Sequence, residues 1–263
     1  MVDGPLSGKV ALVTGVSRRI GIGYAIARRL AGMGADLYLS HHVTHDAAQP
    51  WGADPDGIET VMAGVREGLV DGARLEHAAA DLTDAAAPDA LLAQAVAAFG
   101  HVDILVCNHA RSGGDGPLGT LTAAMLDAHY ATNARSSILL AQAFARQHDG
   151  RPGGRVVFMT SGQGLGPMRD EVAYAASKAA LAGITTTLAD HLADAGITVN
   201  TVNPGPVDTG YTTPEVHGAV RRRFPSGRWG EPDDPARLIA WLVSGDGRWV
   251  TGQVINSEGG FRR

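Results

Sequence analysis

Three side chains in the second half of the chain have the types and spacing needed to act together on one carbonyl group. Tyr174 and Lys178 are four residues apart, so a helix would place them on one face, about one turn from each other. A nearby ammonium favours the phenolate, so Lys178 is expected to lower the pKa of the Tyr174 phenol. Ser161 adds a hydroxyl thirteen residues upstream. This set is typical of a site that interconverts a ketone and an alcohol.

Ser161 follows an apolar run, residues 155–159, that has the composition of a buried parallel strand. Its hydroxyl would therefore emerge at the carboxyl end of a strand, where sheets of this kind bind ligands. Taken alone, Tyr174 and Lys178 also fit an ordinary surface pair on an amphipathic helix. The functional interpretation therefore depends on the rest of the chain.

A glycine-rich turn near the start of the chain joins a strand pattern, residues 9–14, to a helical pattern that begins at Tyr24. Gly15, Gly21 and Gly23 permit a tight turn and let backbone amides approach a pyrophosphate. The helix start adds partial positive charge at the same place. Strand, turn and helix together indicate a dinucleotide-binding unit.

With both motifs present, the chain resembles the short-chain dehydrogenase/reductase family over nearly its whole length. Further matches follow in the expected order at Asp81-Leu82, Cys107-Asn108-His109-Ala110, Asn133, residues 203–209 and residues 251–260. The resemblance implies that Ser161, Tyr174, Lys178 and Asn133 are catalytic, with Asn133 holding a water that relays protons. It also implies a nicotinamide cofactor bound by Gly15, Ser17, Arg18, Arg19, Gly21, Ile22, Gly23, His41, Asp81, Leu82, Asn108, Ala110, Tyr174, Lys178, Pro204, Gly205, Val207 and Thr209.

The alternation of apolar strands and amphipathic helices runs without a linker, so we expect a single domain over residues 1–263. The expected fold is α/β, a doubly wound Rossmann fold with a seven-stranded parallel sheet in the order 3-2-1-4-5-6-7. A lid near residues 206–228 should cover the substrate. Strands are predicted near residues 9–14, 35–40, 73–79, 102–107, 154–160, 197–203 and 252–257.

The composition limits the kind of protein and its surroundings. The single Cys107 cannot form an internal disulfide, which fits a reducing compartment. No apolar segment approaches a membrane span, and residues 1–7 lack the apolar part of a signal peptide, so the cytoplasm is expected. The net charge of -5 offers no general attraction to nucleic acid.

The cofactor is expected to be NADP, with NAD the alternative. No Asp or Glu stands at the end of the second strand, where a carboxylate would bind both ribose hydroxyls and repel a 2'-phosphate. Arg18 and Arg19 lie in the glycine turn, where a guanidinium can pair with phosphate. His41 and the neighbouring histidines are better suited to hydrogen bonding, and no metal site is expected.

Two departures from the family pattern stand out. The glycine turn carries two extra residues around Arg18 and Arg19, and the connection at residues 42–57 after the second strand is unusually long. This connection is either a lid over the adenosine end of the cofactor or a solvated surface loop.

The sequence therefore predicts an NADP-dependent oxidoreductase that reduces a ketone, or oxidises the alcohol, of a small or medium organic molecule. Three residues separate Tyr174 from Lys178, whereas the resemblance gives enoyl reductases six, so carbonyl reduction is preferred. A 3-oxoacyl-carrier-protein reductase and a non-catalytic dinucleotide-binding regulator are the alternatives. The resemblance further implies a homotetramer.

Overall fold

A computed structural model describes residues 4–263 and contains a seven-stranded parallel sheet. Residues 1–3, part of the segment expected to lack a signal peptide, lie outside this range. The strand order β3-β2-β1-β4-β5-β6-β7 confirms the predicted topology. The strands are β1 Val10–Val13, β2 Asp36–His41, β3 Leu75–Ala79, β4 Ile104–Cys107, β5 Gly154–Met159, β6 Ile197–Asn203 and β7 Val254–Asn256.

The strands lie within or close to the predicted spans, because continuous apolar runs specify strands that are covered on both faces. All residues of β1, β4 and β5 are buried. The helices are α1 Ile22–Gly32, α2 Val43–Ala47, α3 Gly57–Arg66, α4 Ala87–Phe99, α5 Ala123–His129, α6 Ser136–Gln147, α7 Val172–Ala193, α8 Pro214–Arg221 and α9 Asp233–Val243.

The helices form one layer on each face of the sheet. On one face, Leu30 of α1, Val61 of α3 and Ile239 of α9 belong to a single apolar cluster. On the other, Phe144 of α6 and Leu181 of α7 pack with residues of α4. Right-handed crossovers between parallel strands bring the loops at the carboxyl ends to one edge of the sheet. The candidate site is assembled there from distant segments.

Two local features adapt this frame to the site. A π-helical turn, Tyr130–Arg135, joins α5 to α6 and carries Asn133 in a fully buried position. Such turns are rare and often mark functional positions. Gly100 ends α4 in the left-handed region at φ 84°, as its place after an Ala-rich helix predicts. Across residues 4–263, every helix is too short or too polar to span a bilayer.

Candidate active site

The glycine turn after β1 has the close packing that a dinucleotide site needs. Gly15 has φ 74°, and a Cβ there would lie 2.8 Å from the Cα of His109. A Cβ on Gly23 would collide with the carbonyl oxygen of Gly15. Gly21 is the N-cap of α1, with an extended backbone. The turn therefore leaves α1's first amides open to an anion, which is what a pyrophosphate requires.

A cleft of about 480 Å³ opens above this turn and contains twelve of the residues predicted to bind the cofactor. Six of them belong to the turn and the start of α1, namely Gly15, Ser17, Arg18, Gly21, Ile22 and Gly23. The other six end or follow other strands, namely His41, Asp81, Leu82, Asn108, Ala110 and Thr209. The size, the glycine cradle and the position at the carboxyl edge of the sheet fit a dinucleotide.

Six predicted cofactor residues lie outside the lining of this cleft: Arg19, Tyr174, Lys178, Pro204, Gly205 and Val207. The last three follow β6, where the Gly205 amide donates to Asn203 Oδ1 at 3.0 Å. Gly205 has φ 66°, and a Cβ there would collide with the Glu258 side chain. This loop is thus held against the segment after β7 at the far end of the site.

The end of the cleft beside β2 is lined by His41, His42, His45, Arg18 and Asp46. Burial lowers the pKa of both His41 and His45, so these rings are neutral at pH 7. Asp46 is an acidic residue that sequence reasoning did not place here, because it lies on α2, beyond the end of β2. Arg18 places a guanidinium at this end.

Arg19 faces away from the cleft and towards the long connection after β2. Its backbone amide donates to Asp54 Oδ2 at 2.9 Å, and its guanidinium donates to both oxygens of that carboxylate at 2.8 to 3.1 Å. It also pairs with Asp56. Burial acts to raise the pKa of the Asp54 carboxyl, but hydrogen bonds from Arg19 and nearby groups keep it below its usual value. Of the two arginines in the turn, only Arg18 lines the cleft.

Tyr174 and Lys178 come together as their spacing predicts, and none of Ser161, Tyr174 and Lys178 lines the cleft itself. Tyr174 and Lys178 lie on α7, and Ser161 follows the end of β5. Lys178 is 2% exposed, and its Nζ lies 5.7 Å from the centre of the Tyr174 ring and donates to Met159 O at 2.9 Å. Burial lowers the pKa of Lys178 to about 8.

The pKa of Tyr174 moves opposite to the direction expected from the sequence. Burial raises it, the charge of Glu171 raises it further, and side-chain hydrogen bonding with Ser161 acts in the opposite direction. Desolvation of the phenolate is the largest of these influences. Tyr174 is therefore a neutral phenol at pH 7 in this arrangement, which is the form that donates a proton.

Asn133 ties two segments of the site together. Its Nδ2 donates to Arg111 O at 3.1 Å and to Ser177 Oγ at 2.9 Å, and its Oδ1 accepts from the Arg111 amide at 2.6 Å. The side chain thus connects the loop after β4 with the helix that carries Tyr174. In this structure the amide of Asn133 positions the site; its predicted role in holding a water stays a prediction.

His109 is a buried connector that sequence reasoning quoted only as part of a motif. Its Nδ1 lies 2.6 Å from Thr14 Oγ1, and its Nε2 lies 2.7 Å from Ser136 Oγ and 3.0 Å from Thr132 O. Burial, and then the charge of Lys178, lowers its pKa to about 3. A neutral imidazole therefore joins the ends of β1 and β4 to the π-helical turn.

Two further residues at the site were missed. Arg111 lines the cleft, and its buried Nε has no partner among the described residues. Its position directly after the family match at residues 107–110 could have indicated this from the sequence. Asp115 accepts from the amides of Ala173 at 3.0 Å and Tyr174 at 2.6 Å, which fixes the start of α7. Nothing local in the sequence links Asp115 to a helix 58 residues away.

Comparison with known proteins agrees with this geometry. A family model described as "Enoyl-(Acyl carrier protein) reductase" matches residues 15–262. The chain is 43% identical over 257 residues to the uncharacterized oxidoreductase YjdA of Bacillus subtilis, covering 97% of each chain. It is 36% identical over 270 residues to a cyclohexanol dehydrogenase of Rhodococcus sp., covering 98% of this chain and 97% of that one. A short-chain dehydrogenase from Burkholderia cenocepacia, solved in complex with NADP, is 37% identical with a TM-score of 0.84, covering 97% of this chain and 98% of that one.

A doubly wound sheet with a glycine cradle beside a tyrosine and a lysine on one helix defines a nicotinamide-dependent oxidoreductase. The extent of the matches then identifies the lineage. The chain belongs to the short-chain dehydrogenase/reductase family and is an NAD(P)-dependent enzyme of that family.

Proposed function

We propose that the protein is an NADP-dependent reductase of ketones on small or medium organic molecules, and oxidises the corresponding alcohols in reverse. The observation that carries the proposal is that Tyr174 and the buried Lys178 lie one turn apart on α7, with Ser161 at the end of β5, on the same edge of the sheet as the dinucleotide cleft. A neutral phenol next to a second hydroxyl suits protonation of a carbonyl oxygen.

Different residues of the site would bind different parts of the cofactor. The turn from Gly15 to Gly23 would hold the pyrophosphate, and Arg18 would pair with the 2'-phosphate at the adenosine end. Lys178 and Tyr174 would hold the ribose on the nicotinamide side, next to the loop at residues 204–207. The Burkholderia cenocepacia relative was solved with NADP, which supports the choice of cofactor.

When bound, NADPH supplies the hydride. Tyr174 donates its phenolic proton to the carbonyl oxygen of the substrate, and the Ser161 hydroxyl donates a hydrogen bond to the same oxygen. The Lys178 ammonium stabilises the phenolate that remains, because it stands 5.7 Å from the ring centre in a water-poor setting. Asp115 and Asn133 hold the helix that carries Tyr174.

Reduction of a carbonyl is preferred over reduction of a carbon-carbon double bond. Tyr174 and Lys178 are separated by three residues and lie one turn apart on α7, and this spacing differs from the wider one expected of enoyl reductases. The description of the matching family model names enoyl reductases. The relative from Rhodococcus sp. is instead named a cyclohexanol dehydrogenase, which is an enzyme of alcohol oxidation.

The enzyme is further proposed to be a homotetramer. The strand β7 lies at the edge of the sheet, with Val254 43% exposed, and Trp249 just before it is 95% exposed. An apolar strand edge beside an exposed tryptophan favours burial against a second copy of the chain. Light scattering at micromolar concentration tests this, and a monomer would contradict it.

A panel of ketones, assayed with NADPH and with NADH at the absorbance of the reduced nicotinamide, tests the function. We expect turnover of at least one ketone class and a higher kcat/KM with NADPH. A panel without turnover, combined with tight NADPH binding, would instead support a non-catalytic dinucleotide-binding regulator. Turnover only with 2-enoyl substrates would refute the assignment to carbonyls.

A further inference from the structure

The two departures from the family pattern are joined in the structure. We call residues 42–57 the strap. Asp54 in the strap accepts the amide and the guanidinium of Arg19, which lies among the extra residues of the glycine turn. The Asp54 side chain is 5% exposed and that of Arg19 is 37% exposed, so the carboxylate is shielded from water while the guanidinium is partly solvated. The extra residues in the turn thus fasten the extra residues after β2.

From this anchor the strap reaches the substrate lid, residues 206–228. The ring of Trp51 meets the ring of Tyr211 edge to face, with centroids 6.5 Å apart and planes at 80°. Tyr211 lies near the start of the lid, before α8. A contact of this geometry is attractive beyond the apolar area it buries.

The contact continues to Trp229, the residue directly after the lid, and from there back to the lid residue His217. Tyr211 packs edge to face on Trp229, with centroids 6.3 Å apart, and Trp229 stacks on His217 at 4.9 Å. Trp229 Nε1 also donates to His217 O at 2.9 Å. Trp51 is therefore the first ring of an aromatic row that starts in the strap and continues through Tyr211 and Trp229 to His217.

Tyr211 also stands close to the catalytic residues. Partial burial of the phenol raises the pKa of Tyr211, whose side chain as a whole is 46% exposed, and the charge of Glu171, three residues before Tyr174, contributes in the same direction. The same Glu171 charge raises the pKa of Tyr174. A displacement of Tyr211 would therefore change the substrate side of the site.

We propose that Trp51 is a positioning residue for the substrate lid and that Arg19, through Asp54, anchors it. This rests on the proposed function, because the lid matters only if substrate binds beneath it. The strap thus connects the adenosine side of the site to the substrate side. Loss of the Trp51 ring or of its anchor loosens the lid while leaving Ser161, Tyr174 and Lys178 in place.

Hydrogen exchange of the lid in the NADPH-bound protein, together with steady-state kinetics, tests the proposal. Trp51→Ala and Asp54→Asn should each speed exchange in residues 206–217 by roughly three- to tenfold. The KM for ketone should rise by a similar factor while kcat stays within about twofold. Trp51→Phe should restore most of both, because it retains a ring.

The control is Asp71→Asn, which makes the same charge change at an exposed residue outside the strap, between α3 and β3. It should match the wild type in exchange and kinetics. Exchange at the wild-type rate in both Trp51→Ala and Asp54→Asn would overturn the proposal. If the wild type reduces no ketone, the proposed function fails, whereas the exchange measurement with NADPH still decides the role of Trp51.

Discussion

Arg19 and Asp54, 35 residues apart, are joined by four hydrogen bonds, one from the backbone amide and three from the guanidinium. The preceding Arg18 lines the cleft instead. Two consecutive arginines of the glycine turn thus have different tasks. One is available to a phosphate, and the other holds the strap.

The division between the two arginines predicts different effects of their replacement. Arg18→Ala should narrow the preference for NADPH over NADH by roughly tenfold or more, because it removes a charge-assisted bond to the 2'-phosphate. Arg19→Ala should leave that ratio within a few-fold. The measurement is kcat/KM for both cofactors at saturating ketone.

The wild-type protein provides the first check on this prediction. A preference for NADH in the wild type would refute the assignment of NADP. A larger loss of preference in Arg19→Ala than in Arg18→Ala would show that the guanidinium of Arg19 leaves Asp54 when the cofactor binds.

Tyr174→Phe should lower kcat by roughly 10²-fold or more, because it removes the proton donor and retains the ring. The affinity for NADPH, measured by fluorescence titration, should stay within a few-fold of the wild type. Turnover close to the wild-type value with the best ketone would show that another group supplies the proton. Ser161→Ala should be impaired as well, since it removes the second donor to the same oxygen.

The buried His109 predicts a loss of stability in mild acid. Its pKa is about 3 in the folded protein, against 6.5 as the ordinary value. Below pH 6.5 the unfolded chain therefore binds a proton that the folded chain does not, and the free energy of unfolding falls as pH decreases towards about 3. From pH 7 to pH 5 this group alone should cost about 2 kcal/mol.

Urea denaturation at pH 7 and pH 5 measures this effect, with His109→Gln as the comparison. Glutamine can keep part of the hydrogen bonding to Thr14 and Ser136 but does not titrate in this range. The variant should be less stable at pH 7 and should lose less stability on acidification. An equal loss in both proteins would assign the acid sensitivity to other groups, such as His41 and His45.

The substrate is expected to be a free small molecule instead of an acyl chain on carrier protein. Family resemblance places docking arginines of ketoacyl reductases near Leu139 and Asp190, where this chain has a half-buried apolar residue and an exposed carboxylate. A carboxylate facing an acidic partner costs affinity, and the net charge of -5 does not compensate. Acetoacetyl-carrier protein should therefore show no advantage over its short thioester analogue in kcat/KM.

An alternative docking surface would reverse that result. Arg221, Arg222 and Arg223 are all exposed at the end of α8. A much higher kcat/KM for the protein-bound substrate, lost on addition of salt, would identify these arginines as a docking site for carrier protein.

The order of the strands and the gathering of the motifs at one edge could be predicted from the sequence. Buried runs such as residues 155–159 specify parallel strands locally, and the handedness of the crossovers then leaves few arrangements. Tyr174 and Lys178 share a helix because their spacing of four is a property of the helix itself. These features depend on neighbours along the chain, which a single sequence displays.

Other properties were decided only by the tertiary structure. The direction of the Tyr174 pKa depends on how far the phenol is removed from water, and spacing along a helix does not give this. Arg18 and Arg19 are chemically identical, and only the position of Asp54 separates their tasks. The contact between Trp51 and Tyr211 joins segments 160 residues apart. The Tyr174 pKa, the roles of the two arginines and the aromatic contact all depend on burial or on residues distant in the sequence. These relationships exist only in the folded chain.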